Sequence, residues 1–210
     1  MLIERPPRIF RLLFPGALFR VKESGKRVYL TFDDGPVPEV TPWVLDCLDT
    51  AGIKATFFMV GDNVRKHPEL YAEVRRRGHA VGNHTMHHVQ GARLGLEAYM
   101  EDVEQADRLI GSSLFRPPHG WLKPRQSREL QRSRRLVMYD LVTRDYSKKL
   151  SAREVVNNVK RYARPGSIIV FHDSLKSKPR LVEALPEALE WLKQQGYEFG
   201  LLTQSTAAGK

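Results

Sequence analysis

The sequence predicts an α/β fold, a small, distorted or incomplete (β/α) barrel of about seven parallel strands. Three features lead there. Short β-branched or aromatic runs alternate with amphipathic stretches of helical period along the chain. Gly52, Gly78, Gly111 and Gly196 each follow a helical stretch, where a left-handed terminating residue belongs. The chemically capable polar residues also cluster just after strands, on what would be one rim of a parallel barrel.

In chain order, residues 27–32 form a strand through Val28, Leu30 and Phe32 that runs into Asp33-Asp34-Gly35-Pro36. A helix over 39–50 follows, with Val40, Val44 and Cys47 on one face. Next come a strand over 54–60, a helix over 68–77 and a strand over 79–82 that leads into Asn83-His84-Thr85-Met86-His87-His88. Gly82 and Gly91 on either side argue that the histidine segment is a loop, not a helix. A helix over 96–110, a strand over 114–116, a helix over 125–132 and a strand over 136–140 continue the alternation. Ser151 and Glu154 form a capping box that opens a helix over 152–163. The run Ile168-Ile169-Val170-Phe171 lies in a strand over 167–171, and a helix over 181–195 and a strand over 197–202 complete the series. An open doubly wound sheet is the competing arrangement. It would place a glycine-rich phosphate loop after the first strand, whereas here Pro36 has no N–H to offer.

At 210 residues, 41% hydrophobic and 28% charged, the chain has the composition of one globular domain. No apolar run approaches the roughly 18 residues of a membrane span, and Arg11 and Pro15 interrupt the apolar stretch near the N-terminus. The expectation is a cytoplasmic protein. Its one cysteine, Cys47, cannot form an intrachain disulfide and reads as a small buried hydrophobe. The net charge of +10 comes partly from Arg75-Arg76-Arg77 and the cluster at 132–135, which lie on helices without stacking aromatics. No nucleic-acid partner is therefore expected. Basic residues from Arg5 to Lys22 are interleaved with Ile9, Phe10, Leu12, Leu13, Phe14, Leu18 and Phe19. Residues 1–22 could lie against an anionic membrane, at its inner face, or pack across the barrel floor. The second reading is the one we favour.

The chemistry resides in the two polar segments. Two adjacent carboxylates and two imidazoles four residues apart can hold one divalent metal and leave a carboxylate free as a base. The set suits zinc, and also cobalt, nickel, manganese or ferrous iron. Asp33 and Asp34 leave the strand in opposite directions, so one would ligate while the other stays beside a water. His84 and His88 are the imidazoles chosen and His87 is left out. His172, at the end of its strand, is the candidate proton donor, and Arg116 and Asp145 are candidate orienting charges.

These segments resemble the five motifs of polysaccharide deacetylases of carbohydrate esterase family 4, the NodB homology domain. Thr31-Phe32-Asp33-Asp34-Gly35 is similar to the first, and His84-Thr85-Met86-His87-His88 to the second. Arg116-Pro117-Pro118-His119-Gly120 is similar to the third, and Asp145 and His172 stand for the fourth and fifth. The resemblance covers residues 27–202. It implies Asp33 as base, Asp34, His84 and His88 as metal ligands, Arg116 as the residue orienting Asp33, Asp145 as the residue tuning His172, and the backbone N–H of His119 as oxyanion donor. His119, Trp121, Tyr146 and Val170 fall on the substrate side. Three of these depart from the family pattern: His119 replaces an aromatic, Tyr146 a tryptophan and Val170 a leucine. On this basis residues 1–25 are an N-terminal extension, 26–204 the catalytic domain and 205–210 a disordered tail. The implied activity is hydrolytic removal of an N-acyl group, acetyl first, from an amino sugar of a polysaccharide, oligosaccharide or cell-envelope precursor. Two alternatives stand beside it: a deacylase or deformylase of a lipid-linked amino sugar at the cytoplasmic membrane face, and a glycan-binding relative without catalysis.

Overall fold

The computed structural model describes residues 4–22 and 25–203; the expected tail at 205–210 lies outside them. Eight strands form one parallel sheet: β1 (Arg27–Asp33), β2 (Thr56–Met59), β3 (Ala80–Asn83), β4 (Leu114–Phe115), β5 (Arg135–Leu136), β6 (Leu141–Val142), β7 (Ile168–His172) and β8 (Glu198–Gly200). The order across the sheet is β5-β4-β3-β2-β1-β7-β6, with β8 beside the first half of β1. The expected curled, incomplete barrel is what forms. β1 lies inside it between β2 and β7, with Asp33 level with Phe58 of β2 and His172 of β7. That register sets the first carboxylate and the last histidine side by side at the strand ends.

Helices α2 (Thr41–Ala51), α4 (Pro68–Arg76), α5 (Leu96–Ile110), α6 (Pro124–Leu130), α7 (Ala152–Tyr162) and α8 (Lys178–Gln194) match expected positions within a few residues. Two short helices were not expected: α1 (Arg8–Leu12) and α3 (Gly61–Lys66). The strand expected over 54–60 ends at Met59 because Val60 already has its N–H bonded to the carbonyl of Gly35 and caps α3. Ser151 accepts from the N–H of Glu154, and the Glu154 carboxylate returns to the N–H of Ser151, so the capping box forms as read.

The strand expected over 136–140 is divided. Residues 135–142 run from one side of the sheet to the other: Leu136 pairs with Phe115 of β4, and Leu141 with Ile169 of β7. Val137, Met138, Tyr139 and Asp140 bridge the two halves and are all buried. A run this short shows its apolar character in sequence but not which neighbour each half takes.

Residues 4–22 pack on the barrel as a strap. Leu18 forms a parallel bridge to Val137, and Arg20 an antiparallel bridge to Ser167. The N–H of Val142 donates to the carbonyl of Glu4. Phe14, Leu18, Phe19 and Val21 are buried, whereas Ile9 and Leu12 on α1 and Leu13 just after it are exposed. Asp140 is fully buried at the junction and accepts from Arg11 of the strap at 2.7 Å and from Arg164 and Ser167 of the barrel. Among the described residues, no helix is long and apolar enough to cross a membrane. Cys47 is half-buried against the main core, and burial pushes its thiol pKa up.

Candidate active site

β1 ends in Asp33, whose carboxylate is buried and receives Nη1 of Arg116 at 2.6 Å. Arg116 follows β4 and is itself 2% exposed. Its donors are distributed over Thr31 Oγ1 at 2.8 Å and the carbonyls of Val137 and Met138, and its guanidinium lies 4.1 Å from the Phe58 ring centre. A buried arginine is tolerated only with such full pairing. Burial lowers its pKa, and the Asp33 carboxylate works against that change. Thr31, Phe58 and the segment after β5 therefore fix the guanidinium, and the guanidinium fixes Asp33.

Asp34 turns away from Asp33 at a left-handed φ of 83°. Its Oδ1 lies 3.1 Å from His88 Nε2 and 3.8 Å from His84 Nε2. One ligand atom from each of Asp34, His84 and His88 falls within 4.8 Å of the other two. Nδ1 of His84 is engaged by the carbonyl of Arg116 at 2.7 Å, which aims Nε2 at the cluster. Burial holds the His84 pKa down at about 4, so the ring is neutral at pH 7, as a metal ligand must be. Burial would raise the pKa of Asp34, but the hydrogen bond to His88 and the surrounding imidazoles hold it well below the usual carboxylate range. One neutral and one tilted imidazole around an ionised carboxylate suit a divalent cation, and three protein donors leave coordination positions for water and substrate.

The histidine segment is a loop, as its flanking glycines suggested. Thr85 and His88 have left-handed φ values of 66° and 54°, which a continuous helix would not allow. Asp102 of α5 holds this loop: it accepts from the N–H groups of Met86 and His87 and pairs with Nδ1 of His87. His87 thus turns outward, away from the cluster.

His172 ends β7 beside Asp33. Its Nδ1 is 2.8 Å from Oδ1 of the fully buried Asp145, whose Oδ2 accepts the His172 N–H. Burial by itself would lower this imidazole's pKa; the facing Asp145 carboxylate, aided by Asp34 and Asp33, raises it to about 9. The next residue, Asp173, accepts from the N–H of Gly35 and from Thr41 Oγ1, tying the loop that carries Asp34 to β7.

A cavity of about 280 Å³ joins these groups, lined by Asp33, Asp34, His84, His88, Arg116, His119, Tyr146, Val170 and His172. Ten of the eleven predicted site residues converge here, counting Asp145 beneath His172. Trp121 is the exception: it lines an adjoining groove that shares His88 and His119 with the cavity. His119 has a left-handed φ of 60°, and its ring packs edge-on against His88 at 4.9 Å. Sequence reasoning missed Tyr139, Val142 and Lys176. The first two form, with Val170 and Tyr146, a small apolar patch on the cavity wall. Nζ of Lys176 lies 5.4 Å from the Tyr146 ring centre, and Tyr146 packs edge-on against His172.

Comparison with known proteins agrees with this geometry. Residues 20–138 match the family model described as polysaccharide deacetylase. A peptidoglycan-N-acetylglucosamine deacetylase of Bacillus cereus is 33% identical over 86% of this chain and 88% of its own length. A chitooligosaccharide deacetylase of Rhizobium leguminosarum bv. trifolii is 34% identical over 70% of this chain and 72% of its own. Among solved structures, a peptidoglycan N-acetylglucosamine deacetylase superposes with a TM-score of 0.85 at 32% identity, covering 93% of this chain and 94% of that one.

Proposed function

The chain belongs to the polysaccharide deacetylase family, and we propose that it removes the acetyl group from the nitrogen of an N-acetylated amino sugar within a glycan. Membership makes it a hydrolase of carbon–nitrogen bonds other than peptide bonds. One observation carries the finer reading: a single small cavity holds an Arg-held carboxylate, an Asp-held imidazole and a three-donor cluster together.

Asp34, His84 and His88 would hold one divalent metal, zinc foremost among those the donors fit, and its charge would polarise the acetyl carbonyl and acidify a water. Asp33 takes the proton from the attacking water as its oxygen adds to the carbonyl carbon. Arg116 holds the Asp33 carboxylate and aims it. The N–H of His119 is the donor for the oxygen that becomes negative. As the C–N bond breaks, His172 gives its proton to the departing amine, and Asp145 holds the charged imidazole in place until then. Tyr139, Val142 and Val170 offer an apolar seat for the acetyl methyl.

The test is acetate release from acetylated amino sugars presented free, polymeric and lipid-linked, with added zinc or cobalt. Asp33→Asn should keep one metal per chain and lose roughly 10²–10⁴-fold in turnover, the range for a lost general base. Wild-type turnover by that variant would remove the assignment. The lipid-linked arm addresses a second reading, supported by exposed Ile9, Leu12 and Leu13 on the basic strap, in which the substrate is held at an anionic membrane.

A further inference from the structure

Asp173 is a fully buried carboxylate that the chemistry above leaves unused. Asp33, Asp140 and Asp145 each face an arginine or a histidine, whereas no basic side chain pairs with Asp173 among the described residues. A carboxylate buried on backbone and hydroxyl donors alone is costly, so the donors it holds point to its use. Its Oδ1 accepts from the N–H of Gly35 at 3.1 Å and its Oδ2 from Thr41 Oγ1 at 2.7 Å, while Thr41 Oγ1 accepts from the N–H of Val37. Across the same turn, Nδ2 of Asn63 in α3 donates to the carbonyl of Asp34 at 2.8 Å. That carbonyl and the Gly35 N–H belong to one peptide unit, so Asn63 and Asp173 grip it by both edges. The grip sets the backbone just after Asp34, whose left-handed φ of 83° is sparsely populated for a residue with a side chain. Gly35 carries the imprint: a Cβ there would lie 2.6 Å from Asp173 Cγ, although Gly35 itself is outside the left-handed region. The carboxylate, not the backbone conformation, is what requires glycine.

We infer that Asp173 and Asn63 are positioning residues for the metal. Together they clamp the Asp34–Gly35 peptide so that the Asp34 carboxylate meets His84 and His88 while Asp33 stays with Arg116. The inference rests on the assignment of Asp34, His84 and His88 as metal donors in the deacetylase reading, and deepens it. Neither clamp residue belongs to the donor cluster or lines the cavity, so each acts through the backbone. The N–H of Asp173 also donates to the carbonyl of Asp33 at 3.0 Å, which anchors the clamp to the strand that carries both carboxylates.

Zinc affinity, measured by competition with a chelator, tests the clamp. Asp173→Ala should weaken zinc binding roughly 10–100-fold and Asn63→Ala about tenfold, the range for lost outer partners of a metal site. Asp173→Asn should recover most of the loss, since an amide oxygen still accepts from Gly35. Loaded with cobalt, both alanine variants should show altered visible absorption bands, a signature of the donor geometry that a loss of stability alone would not move. Gly35→Ala should weaken zinc binding by itself, yet cost little further in the Asp173→Ala background, where its methyl finds room. Should Asp173→Ala fail to fold, Asn63→Ala carries the same test from the half-buried side of the turn. Wild-type zinc affinity and unchanged cobalt bands in the alanine variants would overturn the clamp, as would additive losses from Gly35→Ala and Asp173→Ala. A wild-type protein that binds no zinc would remove the metal assignment and the clamp with it. Zinc bound without acetate release from any acetylated amino sugar would remove the deacetylase reading and leave the clamp standing.

Discussion

His172 carries the clearest electrostatic signature of any residue in the cavity. Its ring is largely withdrawn from solvent, which alone would make it a weak base, yet the Asp145 carboxylate on Nδ1, with Asp34 and Asp33 nearby, raises its pKa to about 9. The imidazole is therefore protonated at neutral pH and ready to serve a leaving amine. For the metal-free protein, a nuclear magnetic resonance titration should place His172 near 9, and Asp145→Asn should bring it well down from there, because only the more distant charges of Asp34 and Asp33 then oppose burial. A raised folded-state pKa contributes stability that is complete below about pH 6.5 and is lost as pH rises through about 9. Denaturation of wild type and variant should thus differ most at low pH and converge in alkali. An unmoved histidine resonance in the variant would contradict this account. Asp33, Asp34, His84 and His88 could be read from sequence because each lies in a short segment whose residue types have few other uses. Asp102, Thr31 and Lys176 could not, because their roles exist only through partners that folding brings to them.

At the scale of elements, the loop between β3 and α5 shows how a helix can control a ligand pair it does not contain. Asp102 satisfies two backbone donors and one imidazole of that loop. Asp102→Ala leaves Met86 and His87 without those acceptors, at a cost of roughly 1–3 kcal/mol. It should also weaken metal binding about tenfold, the lower end for lost outer partners of a metal site. Competition with a chromophoric chelator measures the second effect and chemical denaturation the first; full metal affinity in the variant would show the loop to be held by other means. The same scale explains where sequence reading of the fold fell short. The alternation of strands and helices survives because tertiary burial enforces the period. The division of 135–142 between β4 and β7 does not show, because both halves are equally apolar. Likewise α3 is only six residues long and is held by carbonyls of distant loops.

Across the whole molecule, the strap and the barrel meet at Asp140. Burial would raise its pKa, but Arg164, Ser167 and Arg11 hold it down at about 2. A lowered pKa contributes stability that is present above about pH 4 and lost as pH falls through about 2. The shift, from 3.8 to about 2, corresponds to about 2.5 kcal/mol at about 1.4 kcal/mol per pKa unit. Asp140→Asn should therefore unfold more easily at pH 7 by at least about that amount, with the gap narrowing towards pH 2; a constant gap across that range would place the stabilisation elsewhere.

The strap also changes what the sheet offers to other molecules. Its outermost strands, β5 and β6, would each expose a row of unpaired N–H and C=O groups, the template for stacking one chain on another. Leu18 exchanges hydrogen bonds with Leu136 and Met138 beside β5, and the Glu4 carbonyl takes the N–H of Val142 in β6. One stretch of chain thus covers both margins at once. Detached from it, by proteolysis or by a weakened Asp140 junction, the barrel would present two fresh edges together, and self-association into fibrous aggregates would compete with simple unfolding.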